Sequence, residues 1–294
     1  MSLPRKALRD IFPDSGQLTK ARSDALRDAR DVQSCLPALV PDDAADAGTC
    51  ANRLDVTRIP GHIAVIMDGN GRWAKCQGKS RAAGHRAGIS AVRELIRVAN
   101  DIGIDYLTIY SFSTENWSRP PQEVRTLMGL FARTMNAELE GMLANHVRIR
   151  LIGDVQSLPP RTRRSFLAAV EKSAACTGMT LVIAVNYGAR QEIVAAARHL
   201  TLAALRGEID AASVKSFDTQ DFSAYLSTAG IPDPDLLIRT SGECRLSNFL
   251  LYQIAYSEIY ISELLWPDFD RYELLRALLE YQRRERRFGG VGGA

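Results

Sequence analysis

The chain has 294 residues, 46% of them hydrophobic, with 37 basic and 34 acidic side chains and a formal net charge of +3. That is enough apolar material for one large core, and so even a balance calls for no nucleic-acid partner. The longest uninterrupted apolar runs, such as Leu181 to Val185, are far too short to cross a bilayer. Five cysteines (Cys35, Cys50, Cys76, Cys176 and Cys244) are odd in number and contain no CxxC pair. They point to reduced thiols rather than a disulfide frame or a zinc site. With no apolar signal core at the amino terminus, a cytoplasmic location is expected.

Residues 1–58 are rich in Asp, Ala, Arg and Ser and read as a polar extension, partly disordered, with a possible polar helix over Lys20 to Val32. From Ile59 onward apolar runs alternate with helical patterns. Strands are expected at Ile63 to Met67, Tyr106 to Phe112, Val147 to Ile152, Thr180 to Val185, Leu236 to Ile238 and Ile259 to Ser262. Helices are expected at Ala87 to Ile102, Gln122 to Ala144, Pro160 to Ala175, Gln191 to Leu205, Asn248 to Tyr256 and Arg271 to Arg284. This alternation implies an α/β fold: one domain, 59–290, with a central, mostly parallel six-stranded sheet flanked by helices, and a flexible glycine-rich tail at 291–294.

The segment His62 to Lys75 carries the strongest signal. A buried-strand pattern, Ile63 to Met67, runs into Asp68-Gly-Asn-Gly-Arg72 and a helix through Trp73. Backbone N–H groups at such a turn point at an anion, a diphosphate fits, and Asp68 could hold the magnesium that accompanies it. A Walker loop lacks its Lys-Ser/Thr here, and a dinucleotide fingerprint lacks its third glycine. An EF-hand fails because Arg72 and Lys79 stand where oxygen ligands belong. A haloacid-dehalogenase-type phosphatase would need an acid at Asn70. Alone, the loop also suits an ordinary strand-to-helix turn.

Open parallel sheets bind ligands outside the carboxyl ends of their strands, and four polar clusters fall there. They are Asp68 to Arg72, Ser113 to Arg119, Asn186 to Arg190 and Arg239 to Asn248, with Arg81 and His85 following the first. So many guanidiniums along one rim suit two diphosphates side by side, leaving Asp and Glu for metal or protons. Singly, Glu115 and Arg119 could be a solvated pair, Ser113 a helix cap, Trp117 a core aromatic and His85 a surface residue.

These residues resemble the cis-prenyltransferases, or Z-isoprenyl diphosphate synthases, a family that includes undecaprenyl diphosphate synthase. The resemblance covers Ile59 to Gly290 through HIAVIMDGNGRWAK, GHRAG (84–88), LTIYSFSTENWSRP (107–120), NYGAR (186–190) and DLLIRTSGECRLSNFLLYQIAYSEIY running into LLWPDF. It implies a fold with a hydrophobic product tunnel and a magnesium-dependent condensation of an allylic diphosphate, usually farnesyl, with isopentenyl diphosphate. Asp68 would manage magnesium and the departing diphosphate. The Gly69, Asn70, Gly71 and Arg72 amides, with Trp73, Arg81 and His85, would line the allylic site. Ser113 and Asn116 would serve the network around the reacting carbons, and Glu115, Trp117 and Arg119 a closing segment. Arg239, Arg245 and Ser247 would hold isopentenyl diphosphate, with Glu258 supporting its magnesium. Arg287 and Gly289 would reach that site across a homodimer interface, giving the basic cluster at Arg283, Arg284, Arg286 and Arg287 a role. Peripheral membrane contact would serve product release.

Three departures bear on the product. Ser241 stands where housekeeping members have Gly, Tyr252 where they have Trp, and Ser111 at a tunnel position that usually holds a small apolar residue. The Ser111 hydroxyl is small, so an open tunnel and a long, undecaprenyl-like product are expected. Short- or medium-chain synthesis, cyclisation, or transfer to another acceptor on the same fold are the enzymatic alternatives. A non-catalytic partner subunit is disfavoured by the presence of Asp68, Arg72 and Arg81. Absence of an aromatic-basic platform argues against a nucleic-acid binder.

Overall fold

The computed structural model describes residues 54–284. The expectations for residues 1–53, including the Lys20 to Val32 helix, and for the tail with Arg287 and Gly289 lie outside the described residues. Residues 54–58, assigned above to the extension, pack on the domain instead. Leu54 is buried, and the Asp55 amide donates to Gln282 Oε1 at 3.1 Å.

Strand β1 (His62–Ile66) is buried at every position, as a strand covered on both faces must be, and this explains its unbroken apolar run. It joins β2 (Tyr106–Ser113), β3 (Arg148–Ile152), β4 (Thr180–Tyr187), β5 (Leu236–Arg239) and β6 (Glu258–Ile261) in one sheet ordered β3-β4-β2-β1-β5-β6. Every pairing is parallel. All six expected strands are present, with ends moved by a residue or two.

The helices are α1 (Asn70–Cys76), α2 (Arg81–Asp101), α3 (Pro121–Ala144), α4 (Pro160–Ser173), α5 (Ala189–Leu205), α6 (Ala211–Lys215), α7 (Thr219–Ser223) and α8 (Arg271–Gln282). Helix α2 starts earlier than Ala87 because the Ser80 side chain caps it, accepting from the Ala83 amide. The short α6 and α7 escaped the sequence reading, although Asp210 and Asp218 cap them. Asn248 to Tyr256 is not a helix but a run of turns. Ser247, Asn248 and Leu250 have φ of 51°, 61° and 45°, left-handed values that a right-handed helix cannot contain.

One face of the sheet packs Ile63, Val65 and Leu107 against Leu95 of α2, Leu127 of α3, Phe166 of α4 and Leu274 of α8. The other packs Ala64, Ile66 and Val182 against Ala189 of α5 and Phe249 and Leu250 of the turn segment. The connection from β1 leads to β2 on one side and that from β5 leads to β6 on the other. The switch of direction therefore falls between β1 and β5, where the rule for open sheets puts a ligand.

Helix α1 lies against α2 closely enough to exclude side chains. A Cβ on Gly84 would stand 2.0 Å from the Asn70 carbonyl oxygen. Gly84→Ala is expected to cost about 3 kcal/mol through this overlap, read as a lower urea midpoint; an unchanged midpoint would mean that α1 does not rest on α2. At the amino end of β1, buried His62 has its Nδ1 2.6 Å from the Pro232 carbonyl and its Nε2 2.7 Å from Thr108 Oγ1. A carbonyl only accepts, so Nδ1 carries the proton and Nε2 accepts from Thr108. Burial pushes the imidazole down to about 4. Because this lies below the unfolded value of 6.5, its stabilising contribution is complete above about pH 6.5 and is lost as the pH falls towards about 4, by about 3 kcal/mol. A His62→Asn variant, titrated by urea unfolding between pH 7 and 4, is expected to show a correspondingly shallower loss.

Candidate active site

At the switch point, the carboxylate that follows β1 meets the arginine that ends β5. Asp68 Oδ2 accepts from Arg239 Nη2 at 2.8 Å, while Oδ1 accepts from the Gly69 amide at 2.7 Å. Thr240 fixes the turn from the other side: its hydroxyl donates to the Asp68 carbonyl at 2.7 Å and accepts from the Asp68 amide at 2.9 Å. Gly69 has φ 107°, open to glycine and strained for other residues. That conformation turns the chain into α1 and sets Asn70 and Gly71 at its first turn.

Arg239 is 3% exposed. Besides Asp68 it donates through Nη1 to Ser247 Oγ at 2.8 Å and to the Arg245 carbonyl, but its buried Nε has no partner. A buried guanidinium with a spare N–H, beside a cavity, is set up to take one more anionic oxygen. Arg72 bridges the two loops, pairing with Glu243 at 3.2 Å and donating to the carbonyl and hydroxyl of Ser241. Ser241 has φ 78°, an uncommon value for a residue with a side chain, and its hydroxyl is one of the groups that hold Arg72.

The far wall of the mouth is built by α2 and α3. Glu123, in the first turn of α3, accepts from Arg81 and Arg119, each at 3.2 Å, and lies 4.0 Å from His85 Nε2. Burial first, and then Arg119, push the His85 imidazole down to about 4. It is therefore neutral at physiological pH, and its approach to Glu123 is no ion pair. Ser113 and Asn116 lock each other in a capping box at the end of β2, with the Ser113 amide donating to Asn116 Oδ1 at 3.1 Å.

Behind this mouth lies a cavity of about 480 Å³, of a size usual for ligand sites. Its depth is apolar: Ile89, Val92 and Ile96 of α2, Leu130, Phe131 and Met135 of α3, and Phe166 of α4. The pairing of β2 with β4 skips Ser111, a bulge between Tyr110 and Phe112. A bulge breaks the alternation of faces, and consecutive residues Ile109 to Ser113 all reach the cavity wall.

Of the expected site residues, Asp68, Gly69, Asn70, Gly71, Arg72, Arg81, His85, Ser113, Asn116, Arg119, Arg239, Arg245 and Ser247 line this one cavity. Trp73 does not; its indole donates to Asp268 Oδ1 at 2.7 Å. Glu115 and Trp117 do not line the cavity either and are exposed, Glu115 accepting from Asn248 at 2.9 Å and Trp117 donating to Asn186 Oδ1 at 2.7 Å. Glu258 is not brought to Asp68 within one chain. It pairs in register with Leu236, whereas Arg239 is level with Ile261. Three residues of strand, roughly 10 Å, therefore separate Glu258 from the ligand end, and it binds Arg284 at 2.9 Å. Sequence reasoning missed Glu123, Thr240 and Glu243. An acid just inside a Pro-initiated helix, and polar residues flanking an arginine at a strand end, are the signals that could have found them.

No group of three or more His, Cys, Asp or Glu able to hold a metal occurs among the described residues. A lone oriented carboxylate fits magnesium, which takes one or two protein carboxylates and fills its shell with water and substrate phosphate. No helix among the described residues is long and apolar enough to cross a membrane.

The family model for undecaprenyl diphosphate synthases matches residues 66–289. The chain is similar to the isoprenyl transferase of Heliobacterium mobile, 49% identical over 248 residues, covering 84% of this chain and 94% of that protein. It is also similar to the isoprenyl transferase of Prochlorococcus marinus, 48% identical over 238 residues, 81% of this chain and 88% of that one. Among solved structures, lavandulyl diphosphate synthase from Lavandula x intermedia, in complex with dimethylallyl diphosphate, superposes with a TM-score of 0.76. It is 35% identical and covers 79% of this chain and 99% of its own. With the family match running from the end of β1 through the mouth and the cavity, the chain belongs to the undecaprenyl diphosphate synthase family and is an enzyme that transfers prenyl groups.

Proposed function

We propose that the enzyme condenses isopentenyl diphosphate with an allylic prenyl diphosphate, farnesyl diphosphate as primer, to make a long-chain cis-polyprenyl diphosphate, and that it needs magnesium. The observation that carries this reading is one cavity with a guanidinium-rich mouth at the sheet's switch point and an apolar interior behind it. Such a site suits a molecule with an anionic head and a hydrocarbon tail.

In this reaction the C1–O bond of the allylic diphosphate breaks and C1 bonds to the terminal alkene carbon of isopentenyl diphosphate. A proton is lost, and the pair of electrons from the broken bond leaves with the diphosphate. Negative charge thus grows on the departing oxygens. Groups already oriented towards them stabilise the transition state more than the ground state. The amides of Gly69 to Arg72, with Arg72 and Arg81, would take the allylic diphosphate. Arg239, with its unused Nε–H, Arg245 and Ser247 would take isopentenyl diphosphate. Ser113 and Asn116, which line the same cavity, would serve the network around the reacting carbons, and neutral His85 would donate or accept a hydrogen bond without adding charge. The apolar walls exclude water from the developing allylic cation. Asp68 would hold magnesium, which when bound neutralises diphosphate charge.

Glu258 would serve a metal only in a neighbouring copy, and a homodimer is part of the proposal. Its support is β6, an edge strand that carries exposed Ile259 and is flanked by exposed Tyr256 and Leu264; unpaired edges with apolar cover favour association. Three described cysteines, Cys76, Cys176 and Cys244, are free thiols, in keeping with a cytoplasmic enzyme. A short-chain product is the second reading, favoured by the likeness to lavandulyl diphosphate synthase.

Asp68→Ala is expected to lower turnover by orders of magnitude. Asp68→Asn controls for loss of the Arg239 contact, and EDTA should abolish diphosphate release by the wild type. Near-normal turnover of both variants would remove Asp68 from the mechanism. Incubation with farnesyl and isopentenyl diphosphates is expected to give chains beyond C25 by mass, with cis double bonds; C20 or C25 products alone would establish the short-chain reading.

A further inference from the structure

Asn248 does not line the cavity, yet it touches three of the elements around it. Its φ of 61° is a left-handed value that asparagine and aspartate accept more readily than most residues with a side chain. Its carbonyl accepts from the Ala189 amide and its Oδ1 from the Arg190 amide, each at 2.8 Å, so that it caps the first turn of α5 from outside. Because Oδ1 faces an N–H, the Nδ2 end is the one left to meet acceptors. It donates to Glu115 Oε1 at 2.9 Å and to Gln191 Oε1 at 3.0 Å. The glycine at 188 leaves room for this, since a Cβ there would stand 2.7 Å from Asn248 Nδ2.

The two ends of the Asn248–Glu115 bond belong to separate parts of the lining. Glu115 lies in the chain between Ser113 and Asn116, which reach the cavity from the end of β2. Asn248 follows Ser247, which also lines the cavity and accepts from Arg239 Nη1 at 2.8 Å. In the sheet β2 and β5 are separated by β1, so no ladder bonds tie the segments that follow them, and side chains have to join them. The Tyr110 hydroxyl makes one such link, 3.4 Å from the Ser247 carbonyl. Burial works against the charge on Glu115, but the donors around it, the Asn248 amide foremost, hold its carboxyl below the usual carboxylate range. It is therefore ionised, and a hydrogen bond to an ionised acceptor is of the stronger kind.

We propose that Asn248 is a positioning residue: by bonding Glu115 it sets the Ser113 to Asn116 strip against the Arg239 and Ser247 anion grip, and so places isopentenyl diphosphate for attack on the allylic carbon. Capping of α5 accounts for the Oδ1 end alone and gives no reason for Nδ2 to meet a carboxylate. The inference rests on the proposed function, which puts isopentenyl diphosphate on Arg239, Arg245 and Ser247. The groups assigned to the allylic diphosphate stand on α1 and α2, outside the reach of the Asn248 bonds. Loss of the bond to Glu115 should therefore be felt by one substrate and not the other.

Asn248→Asp in the full chain separates the two roles. Aspartate tolerates the backbone conformation and keeps the acceptor for the Arg190 amide, so the urea midpoint should hold, but it sets a second carboxylate against Glu115. Gln191 can turn its amide round and donate; Glu115 cannot. In steady-state assays with farnesyl and isopentenyl diphosphates, KM for isopentenyl diphosphate is expected to rise roughly tenfold, the worth of one hydrogen bond to a charged group, while KM for farnesyl diphosphate changes less than about twofold. Asn248→Asp combined with Glu115→Gln reverses the direction of the bond and should recover most of the loss. Glu115→Ala, at an exposed position where folding is not at stake, should reproduce the split from the other end. An unchanged KM for isopentenyl diphosphate in Asn248→Asp and Glu115→Ala, an equal rise in both KM values, or a combined variant worse than Asn248→Asp alone overturns the proposal. So does a lowered urea midpoint with both KM values intact, which would leave Asn248 as a helix cap and nothing more. The wild type controls for the underlying reading: if it couples the two substrates while the variants depart from this pattern, only the positioning role falls, whereas a wild type that does not couple them removes the proposed function and the positioning role together.

Discussion

The site depends on one ion pair, Asp68 with Arg239, made across neighbouring strands at the place where the sheet's connections change direction. Arg239 is almost wholly buried, and a charge in that position is tolerable only with a partner of opposite sign. Asp68 is one-third exposed, so removing it costs less than the about 3–5 kcal/mol typical of a fully buried pair, but it leaves the buried guanidinium without its carboxylate. The pair does more than offset desolvation. Asp68 lies in the short loop that leads from β1 into α1, and Arg239 organises Ser247 and the Arg245 carbonyl on the other side. Both halves of the mouth are therefore referred to a single contact.

Around that contact the backbone departs from its usual range. Ser241, Ser247, Asn248 and Leu250 all have positive φ, although none is glycine, and all belong to one segment following β5. Residues held in sparsely populated conformations tend to gather at binding sites, where the surrounding structure keeps them in place. Here the compensation is visible. Ser241 gives both its carbonyl and its hydroxyl to Arg72, Ser247 accepts from Arg239, and Asn248 accepts from the Arg190 amide at 2.8 Å. Leu250 is buried in the second core. The segment is kept irregular so that its side chains converge.

Charge and hydrocarbon space are divided cleanly along the cavity. Its mouth is lined by arginines partly tied to Glu123, Glu243 and Asp68, and these ties position the cations without saturating them. Its interior is walled by the same α2 and α3 side chains that complete the core on one sheet face. The enzyme's hydrocarbon site is thus a part of the core left unfilled, which needs rigid walls. Close approaches such as Gly84 on Asn70 and Gly88 on Trp266 supply them by fixing α1 and the loop after β6 to α2.

Periodicity in the sequence determined the six strands, the long helices and their alternation, because apolar runs bounded by polar turns are local facts about burial. It also determined the arginine-rich strand ends, and with them most residues of the mouth. Tertiary structure alone decided three matters. The turns at Asn248 to Tyr256 carry an apolar pattern that suits a helix, but left-handed residues fixed by contacts with α5 and β5 override it. Glu258 shares a motif with the site residues, yet strand register sets it at the opposite end of the sheet, since register depends on partners distant in the chain. Glu123 looks like an ordinary first-turn acid, and only the packing of α3 beside α2 surrounds it with Arg81, Arg119 and His85. Local burial preference is written in order along the chain, whereas the meeting of two loops depends on how far and in which direction each connection travels.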